Sequence, residues 1–125
     1  MTSAEIIQAH AIKQGIDPAL LASQVKKFLS EPKTKMVQQG DCLFLIQSKD
    51  NIGYFHIFNG GNAGNYIRSL RMFVTFMQKL GYHQIAMRVQ DKQQSQKIAA
   101  SAGVKSANYQ EIGGRIDPYL MIMEI

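Results

Sequence analysis

The stretch FNGGNAGNYIRSL, residues 58–70, decides how the chain folds. It starts at the end of an apolar run, passes through three glycines, and continues into a segment whose apolar side chains recur with the 3.6-residue period of a helix. A strand that turns at glycines into a helix either returns the chain over a sheet or presents backbone amides to a phosphate. Both interpretations, the structural corner and the phosphate site, are open from this stretch alone.

The segments on either side of the stretch follow a definite order. Two helices are predicted within residues 1–32, followed by three strands, a long helix over residues 65–80, a strand, a short helix over residues 92–102 and two final strands. Strands that alternate with single helices, with hairpins outside them, favour a mixed sheet with helices on both faces. The predicted fold class is therefore α/β, with the order ααβββαβαββ and a mixed, mostly antiparallel sheet within residues 33–125.

Local signals predict where several of these elements end. Thr2 or Ser3 can cap the first helix, and Gly15 stops it. Asp17 followed by a proline is a favoured opening for the second helix. A turn at residues 113–118 is predicted to join the last two strands.

Two apolar strands are predicted inside the sheet. The run CLFLIQ, residues 42–47, is continuously apolar over five residues, which indicates burial on both faces. The last run, PYLMIMEI at residues 118–125, is also apolar, and such a strand favours the sheet interior over a free edge.

Composition excludes several classes of protein. The 125 residues, 46% of them hydrophobic, predict one globular domain over residues 1–125. No apolar run approaches the length of a membrane span, and the N-terminus lacks the pattern of a secretory signal, so no membrane partner is expected. The single Cys42 excludes an internal disulfide and favours a cytoplasmic protein. The net charge of +5 suits an anionic partner, but no metal-binding spacing or nucleic-acid-binding motif is present, so neither a metal nor nucleic acid is expected.

Two segments of the second half carry a family resemblance. QKLGYHQIAMRV, residues 78–89, and KIAASAGV, residues 97–104, are similar to the helix-to-strand and small-helix segments of the GNAT superfamily of acyl-CoA-dependent N-acyltransferases. The order of elements resembles the same superfamily, less its usual first strand. The resemblance implies a GNAT-like fold and, in an active member, transfer of an acyl group from acyl-CoA to an amine.

The resemblance also implies a place for the cofactor. The family's strand before the glycine loop carries a bulge that faces the pantetheine arm, and the loop, patterned Gln/Arg-x-x-Gly-x-Gly/Ala, binds the pyrophosphate through backbone amides at a helix N-terminus. Here Gly61 and Ala63 match that pattern, whereas Phe58 stands at its polar position. No cofactor is expected for the chain as it stands. If acetyl-CoA does bind, the resemblance implies these residues for its pyrophosphate: Gly60, Gly61, Asn62, Ala63 and Gly64.

The residues for chemistry depart from the family pattern. Family members commonly place a tyrosine four residues before the glycine that closes the short helix, and counting back from Gly103 gives Ala99. Ser95 and Ser101 carry hydroxyls but are displaced from that position. For a catalytic base the candidate is His56, on the strand before the loop; the alternative is a histidine bonded to a neighbouring backbone group.

Other polar aromatic residues give weaker signals. Tyr82, Tyr109 and Tyr119 lie near strand ends, where each could reach a ligand cleft or simply serve as an amphipathic aromatic. His10 and His83 are interpreted as surface residues.

One helix face points to assembly. The main apolar stripe of the long helix is Tyr66, Ile67, Leu70, Phe73, Val74, Met77 and Leu80. Met72 and Phe76, four residues apart, lie outside it and are candidates for a protein interface. The alternative is that the two N-terminal helices cover them.

Two hypotheses follow. The first is a non-catalytic GNAT-like structural or interaction protein, with protein partners or self-assembly, similar to small phage-encoded GNAT-like proteins that serve in virion assembly; it would work in the host cytoplasm or the virion. The second is an acetyl-CoA-dependent N-acetyltransferase that uses the glycine loop.

Overall fold

The computed structural model describes residues 1–113 and 118–125 of the chain. These residues form four helices and six strands in the predicted order: α1 Ser3–Gln14, α2 Pro18–Leu29, β1 Thr34–Gln39, β2 Cys42–Lys49, β3 Ile52–Asn59, α3 Ala63–Lys79, β4 Gln84–Val89, α4 Lys92–Ser101, β5 Ser106–Glu111 and β6 Tyr119–Glu124. Most of the turn predicted at residues 113–118 lies outside the described residues.

The strands form one mixed sheet in the order β1-β2-β3-β4-β6-β5. Only the β3–β4 pair is parallel, and the other four pairs are antiparallel. The fold is α+β, and the predicted mixed, mostly antiparallel sheet with helices on both faces is confirmed. The last strand, β6, lies inside the sheet between β4 and β5, as its apolar sequence predicts.

The two parallel strands separate after a short contact. β3 pairs with β2 along its whole length, and β4 pairs with β6 along its whole length. Between β3 and β4, however, only three residue pairs are in register: Ile52 with Gln84, Gly53 with Ile85, and Tyr54 with Ala86. Beyond these pairs the strands belong to diverging halves of the sheet, and a gap opens between them.

One face of the sheet carries α3 and α4. Alternate residues of β2 and β3 point to this side and pack with α3 into one buried cluster. At its centre Phe44 of β2 stacks on Phe73 of α3 with ring centroids 4.0 Å apart, and Phe55 of β3 lies 4.9 Å from the same ring. We call this the α3/α4 face.

The opposite face carries α1 and α2, which pack over β1, β2 and β3. We call it the α1/α2 face. Its buried residues include Ile6, Leu21 and Val25 from the helices and Leu43 and Leu45 from β2. Strand β2 is thus buried on both sides, as predicted from its apolar run. The N-terminal helices lie across the sheet from α3, so the expectation that they cover Met72 and Phe76 is wrong.

The α1/α2 face is only half covered. Over β4, β6 and β5 the polar side chains of Arg88, Asn108 and Gln110 are exposed, and Leu120 and Ile122 are half-buried. The border between the covered and uncovered halves coincides with the gap between β3 and β4.

The predicted helix signals are present. Thr2 caps α1 through a capping box with Glu5, and Gly15 ends it in the left-handed conformation. Asp17 caps α2 by accepting a hydrogen bond from the Ala19 N–H. Helix α3 begins at Ala63, earlier than predicted, because the Asn62 side chain accepts the Asn65 N–H and caps it there.

Candidate functional site

The gap between β3 and β4 forms a cleft of about 430 Å³ on the α1/α2 face. Five polar side chains line it: Gln47, Lys49, Tyr54, His56 and Arg88. Phe28 from the end of α2 and Leu120 from β6 contribute apolar walls. The cleft therefore combines hydrogen-bonding groups and positive charge with apolar surface.

Strand register brings these side chains together. Gln47 of β2 lies opposite Tyr54 of β3, and Tyr54 lies opposite Ala86 of β4, so the three form a row across the sheet. His56 and Arg88 follow two residues further along β3 and β4, on the same face. Because the strands have separated by then, the two side chains lie on opposite sides of the gap rather than in a pair.

His56, the predicted candidate for a base, is among the exposed residues of this cleft. Its ring meets the Phe28 ring edge-on, with centroids 6.3 Å apart. Among the described residues that line the cleft there is no aspartate or glutamate.

Backbone N–H groups of the glycine loop between β3 and α3 donate hydrogen bonds to other groups of the protein. The Gly60 N–H donates to the Asp41 carbonyl at 2.8 Å, and the Gly61 N–H donates to the Asn59 side-chain oxygen at 2.9 Å. The Asn65 amide reaches the same Asn59 oxygen at 3.1 Å. Two of the amides that a pyrophosphate would need are therefore already used.

Helix α1 holds the other side of the loop. The Lys13 ammonium donates to the Gly61 carbonyl at 2.7 Å and to the Asn59 carbonyl at 3.3 Å. This ammonium is therefore already bonded to the loop's own carbonyl groups.

Packing accounts for the glycines of the loop. A Cβ on Gly61 would come within 2.8 Å of the Asn65 amide nitrogen, and one on Gly60 would come within 2.9 Å of the Met1 sulfur. None of the loop glycines has a positive φ, which a backbone anion nest requires. Ala63 and Gly64 already belong to the first turn of α3. The loop proper is therefore a tight corner of three residues, 60–62.

Strand β3 also lacks a feature that the family resemblance implies. Its register with β2 is unbroken through eight pairs, from Cys42 opposite Asn59 to Lys49 opposite Ile52. A bulge would place two residues of one strand against one of the other. The backbone groups of β3 on the β2 side are thus all engaged in regular pairing.

The short helix offers no acid at the family's tyrosine position. Ala99 is 2% exposed and packs in the core. The Ser95 hydroxyl donates to the Asp91 carbonyl at 2.6 Å, and the Ser101 carbonyl accepts the Arg71 guanidinium at 2.6 Å. Ser95 does not replace the missing acid, because its hydroxyl is already bonded within the helix.

The tyrosines named from the sequence do not line the cleft. The Tyr82 hydroxyl is hydrogen-bonded to Ser48, and Tyr109 and Tyr119 pack edge-on with centroids 6.3 Å apart under the Lys92 ammonium. His83 is exposed, whereas His10 is half-buried and stacks on Phe58 with centroids 4.8 Å apart. The surface interpretation of His10 is therefore wrong.

Cys42 and Tyr66 are poor acid–base groups. Cys42 is fully buried beneath the corner, and burial raises the pKa of its thiol. Burial, and secondarily Cys42, raises the pKa of Tyr66 to about 12. Both groups stay protonated at neutral pH, which suits a structural role.

On the outer side of α3, Met72 is 49% exposed and Phe76 is half-buried, with one side against the core. Leu80, predicted in the buried stripe, is 46% exposed because the helix ends at Lys79. The three side chains are spaced by four residues and form one apolar stripe on the surface, which we call the α3 outer stripe.

The chain was compared with models of known protein families and with curated proteins, and neither comparison gives a match. Within residues 1–113 and 118–125, no group of three or more His, Cys, Asp or Glu side chains could hold a metal ion. In the same part of the chain, no helix is both long and apolar enough to cross a membrane.

Three lining residues of the cleft, Lys49, Tyr54 and Arg88, were not predicted from the sequence. Strand alternation puts Tyr54 on the same face as His56, and that signal was available. Lys49 and Arg88 line the same cleft only because of the register of β2 with β3 and of β3 with β4. Local sequence patterns do not predict that register.

Proposed function

We propose that the chain has a degenerate GNAT-like fold and acts without catalysis, as a structural or interaction protein. The fold is supported by the strand order and by the single parallel pair, which separates after three residue pairs. The loss of catalysis rests on one observation above all. The amides of Gly60 and Gly61, where the family would bind pyrophosphate, are bonded to Asp41 and Asn59.

Two further departures support the same conclusion. The regular register of β3 leaves no bulge to accept a pantetheine arm, and the buried Ala99 gives no proton to a departing thiolate. A donor of this kind typically contributes about 10²–10⁴-fold to the rate. Without the bulge that binds pantetheine and the donor that protonates the thiolate, the cleft lacks two groups that the family uses for acyl transfer.

The interaction role rests on the α3 outer stripe. Met72 and Leu80 each expose nearly half of their surface, at 49% and 46%, and Phe76 lies between them. We propose that a second copy of the chain covers this stripe, since a self-complementary apolar stripe suits a two-fold interface. Because the chain resembles small phage-encoded GNAT-like proteins, we propose more specifically that it is a virion or assembly component.

Acetyl-CoA binding tests the non-catalytic part. Purified protein is heated with acetyl-CoA up to millimolar concentration, beside an active N-acetyltransferase as the positive control. A ligand that binds the folded state raises the melting temperature with its concentration. We expect no shift; a dose-dependent rise would overturn the proposal.

Sedimentation velocity over a range of concentrations tests the assembly part. We expect wild type to self-associate and Met72→Asp to remain monomeric with an unchanged melting temperature. Gln78→Asp, an exposed position outside the stripe on the same helix, is the matched control and should associate like wild type. A wild type that stays monomeric at every concentration would contradict self-assembly.

The cleft beside His56 favours a second candidate, an acetyl-CoA-dependent N-acetyltransferase that binds the cofactor through the remaining groups of the glycine loop. Release of free thiol from acetyl-CoA in the presence of a panel of amines measures this activity. If turnover occurs, His56→Gln should abolish it when His56 is the base. Absence of turnover with every amine favours the non-catalytic proposal.

A further inference from the structure

We propose that the β3–β4 cleft is a binding site for a small organic anion that carries a carboxylate or phosphate group on a ring-sized apolar part. This goes beyond the interaction role, because the cleft lies on the α1/α2 face and the α3 outer stripe belongs to the opposite side of the sheet.

The charge of the cleft selects an anion. Lys49 approaches from β2 and Arg88 from β4, and among the described residues that line the cleft the other ionisable side chains are Tyr54 and His56. In the described part of the chain the one ion pair joins the N-terminus to Asp41, so no carboxylate neutralises either cation at contact distance. By the strand register Lys49 lies level with Gln84, where β3 and β4 still pair, and Arg88 lies four residues further along β4, beyond the last paired residues. The two cations therefore lie toward opposite ends of the cleft, and both attract an anion to it.

Two carboxylates of the described residues, Glu124 and Asp50, lie outside the lining of the cleft. Glu124, further along this face, accepts a hydrogen bond from the Gln84 amide at 2.6 Å. Asp50 lines a neighbouring cavity of about 650 Å³ together with Lys33, Lys35 and Lys49. That cavity adds two more lysines beside the cleft against one carboxylate, and the excess of positive charge raises the local concentration of anions.

The rest of the lining sets the size and shape of the ligand. A volume of about 430 Å³ lies within the usual range for small-molecule sites, roughly 300–1,000 Å³. The Phe28 ring and the Leu120 side chain offer apolar walls for a ring, while Gln47 and Tyr54 offer directional hydrogen bonds from the floor.

The same charges disfavour a cationic ligand. A protonated amine in this cleft would be repelled by Lys49 and Arg88, and the described lining residues include no carboxylate to accept it. The arrangement thus opposes the amine acceptors that an N-acyltransferase of basic substrates needs, and it is complementary to acids.

Isothermal titration with three probes of similar size tests the proposal: phenyl phosphate, 3-phenylpropanoate and phenethylammonium. We expect one or both anions to bind saturably and phenethylammonium not to bind. The two anionic probes differ in the headgroup, so their relative affinities tell whether phosphate or carboxylate is the preferred group.

Three variants, each losing one positive charge, locate the site. Arg88→Gln should weaken binding of the preferred anion about tenfold, the loss of one charge-assisted contact. Lys49→Gln should weaken binding less, because Lys49 lies toward the other end of the cleft and acts through its charge at longer range. Lys97→Gln, at an exposed position on α4 across the sheet, should leave the affinity unchanged. All three positions are exposed, so equal melting temperatures should show that each variant folds.

Three results would overturn the proposal. The first is that neither anion binds at millimolar concentration. The second is that Lys97→Gln weakens binding as much as the cleft variants, which means non-specific attraction to a chain of net charge +5. The third is that phenethylammonium binds as tightly as the anions.

Discussion

The same strands form both faces of the sheet, but one face is a closed core and the other is partly accessible. On the α3/α4 face, Phe55 is 2% exposed and packs among other rings. Its neighbours in sequence, Tyr54 and His56, point to the α1/α2 face and line an accessible cleft. One strand therefore carries a closed core on one side and an accessible polar surface on the other, and strand alternation alone separates the two.

The difference teaches where function can lie in this molecule. At the glycine corner the N–H groups of Gly60 and Gly61 and the side-chain oxygen of Asn59 have internal hydrogen-bond partners, which leaves these groups unavailable to a ligand. In the cleft, Lys49 and Arg88 have no carboxylate at contact distance among the described residues. The family resemblance points to the first place, whereas the unsatisfied charge points to the second.

The sharpest test of this comparison is Phe73→Ala. Phe73 is fully buried and stacks on Phe44 in the α3/α4 core, so its loss leaves a large cavity. We expect the free energy of unfolding to fall by about 3–5 kcal/mol, measured by urea denaturation. Phe28→Ala, on the half-covered face, is the control and should cost less than half as much. Equal losses would mean that the two faces contribute alike.

Gly61→Ala should have the next largest effect. Its Cβ would press on the Asn65 side chain, which then cannot keep its hydrogen bond to Asn59. We expect a loss of about 1–2 kcal/mol in the free energy of unfolding. Gly64→Ala is the matched control: it lies in the first turn of α3 with ordinary contacts, and it should be neutral or stabilise by up to about 1 kcal/mol. The reverse order would mean that packing does not set the corner.

Thr2→Ala tests how firmly α1 is held on the half-covered face. The Thr2 hydroxyl accepts the Glu5 N–H at 3.2 Å, and the Glu5 carboxylate accepts the Thr2 N–H at 2.8 Å. Removing this capping box should lower the free energy of unfolding by about 1 kcal/mol. Thr2→Ser, which keeps the hydroxyl, should retain most of it. A loss in both variants would point to the methyl group instead.

The smallest effect concerns pH. Burial against the sheet, and secondarily the Lys13 ammonium, lowers the pKa of His10 below its usual value of 6.5. The unfolded chain then binds the proton more readily, so stability is lost as the pH falls through 6.5 toward the lowered pKa. We expect a loss below about 1 kcal/mol between pH 7.5 and 5, because His10 is only half-buried.

His10→Gln is the variant that isolates this titration. It should flatten the difference in urea midpoint between pH 7.5 and 5, while His83→Gln, at an exposed position, should leave that difference as in wild type. A slope that survives His10→Gln would assign the pH dependence to another group.

Local sequence signals predicted the order of helices and strands well, but they predicted helix ends and the exposure of individual residues poorly. The order ααβββαβαββ, the cap at Asp17 and the double burial of β2 all follow from patterns within a few residues. The start of α3 was placed too late, because the Asn62 side chain decides it through a hydrogen bond to Asn65. Leu80 was predicted in the buried stripe because the 3.6-residue period of apolar side chains does not show where a helix ends.

The candidate site was predicted only in part. His56 was predicted from its place on the strand, and strand alternation would also have given Tyr54, which was not predicted. Lys49 and Arg88 are 39 positions apart by number and meet at one cleft only because β3 pairs with β2 and β4 on either side. The side of the sheet on which α1 and α2 pack was equally beyond local patterns, and so the cover expected for Met72 was wrong.

What the sequence by itself determined is the set of helices and strands, since each depends on the period of apolar residues and on caps a few positions away. The tertiary structure decided which polar groups form hydrogen bonds within the protein and which remain available to a ligand. The Asn59 oxygen is used by the corner, and the Arg88 guanidinium faces a gap, because strand register and the divergence of β3 from β4 set the distances between residues far apart in the chain.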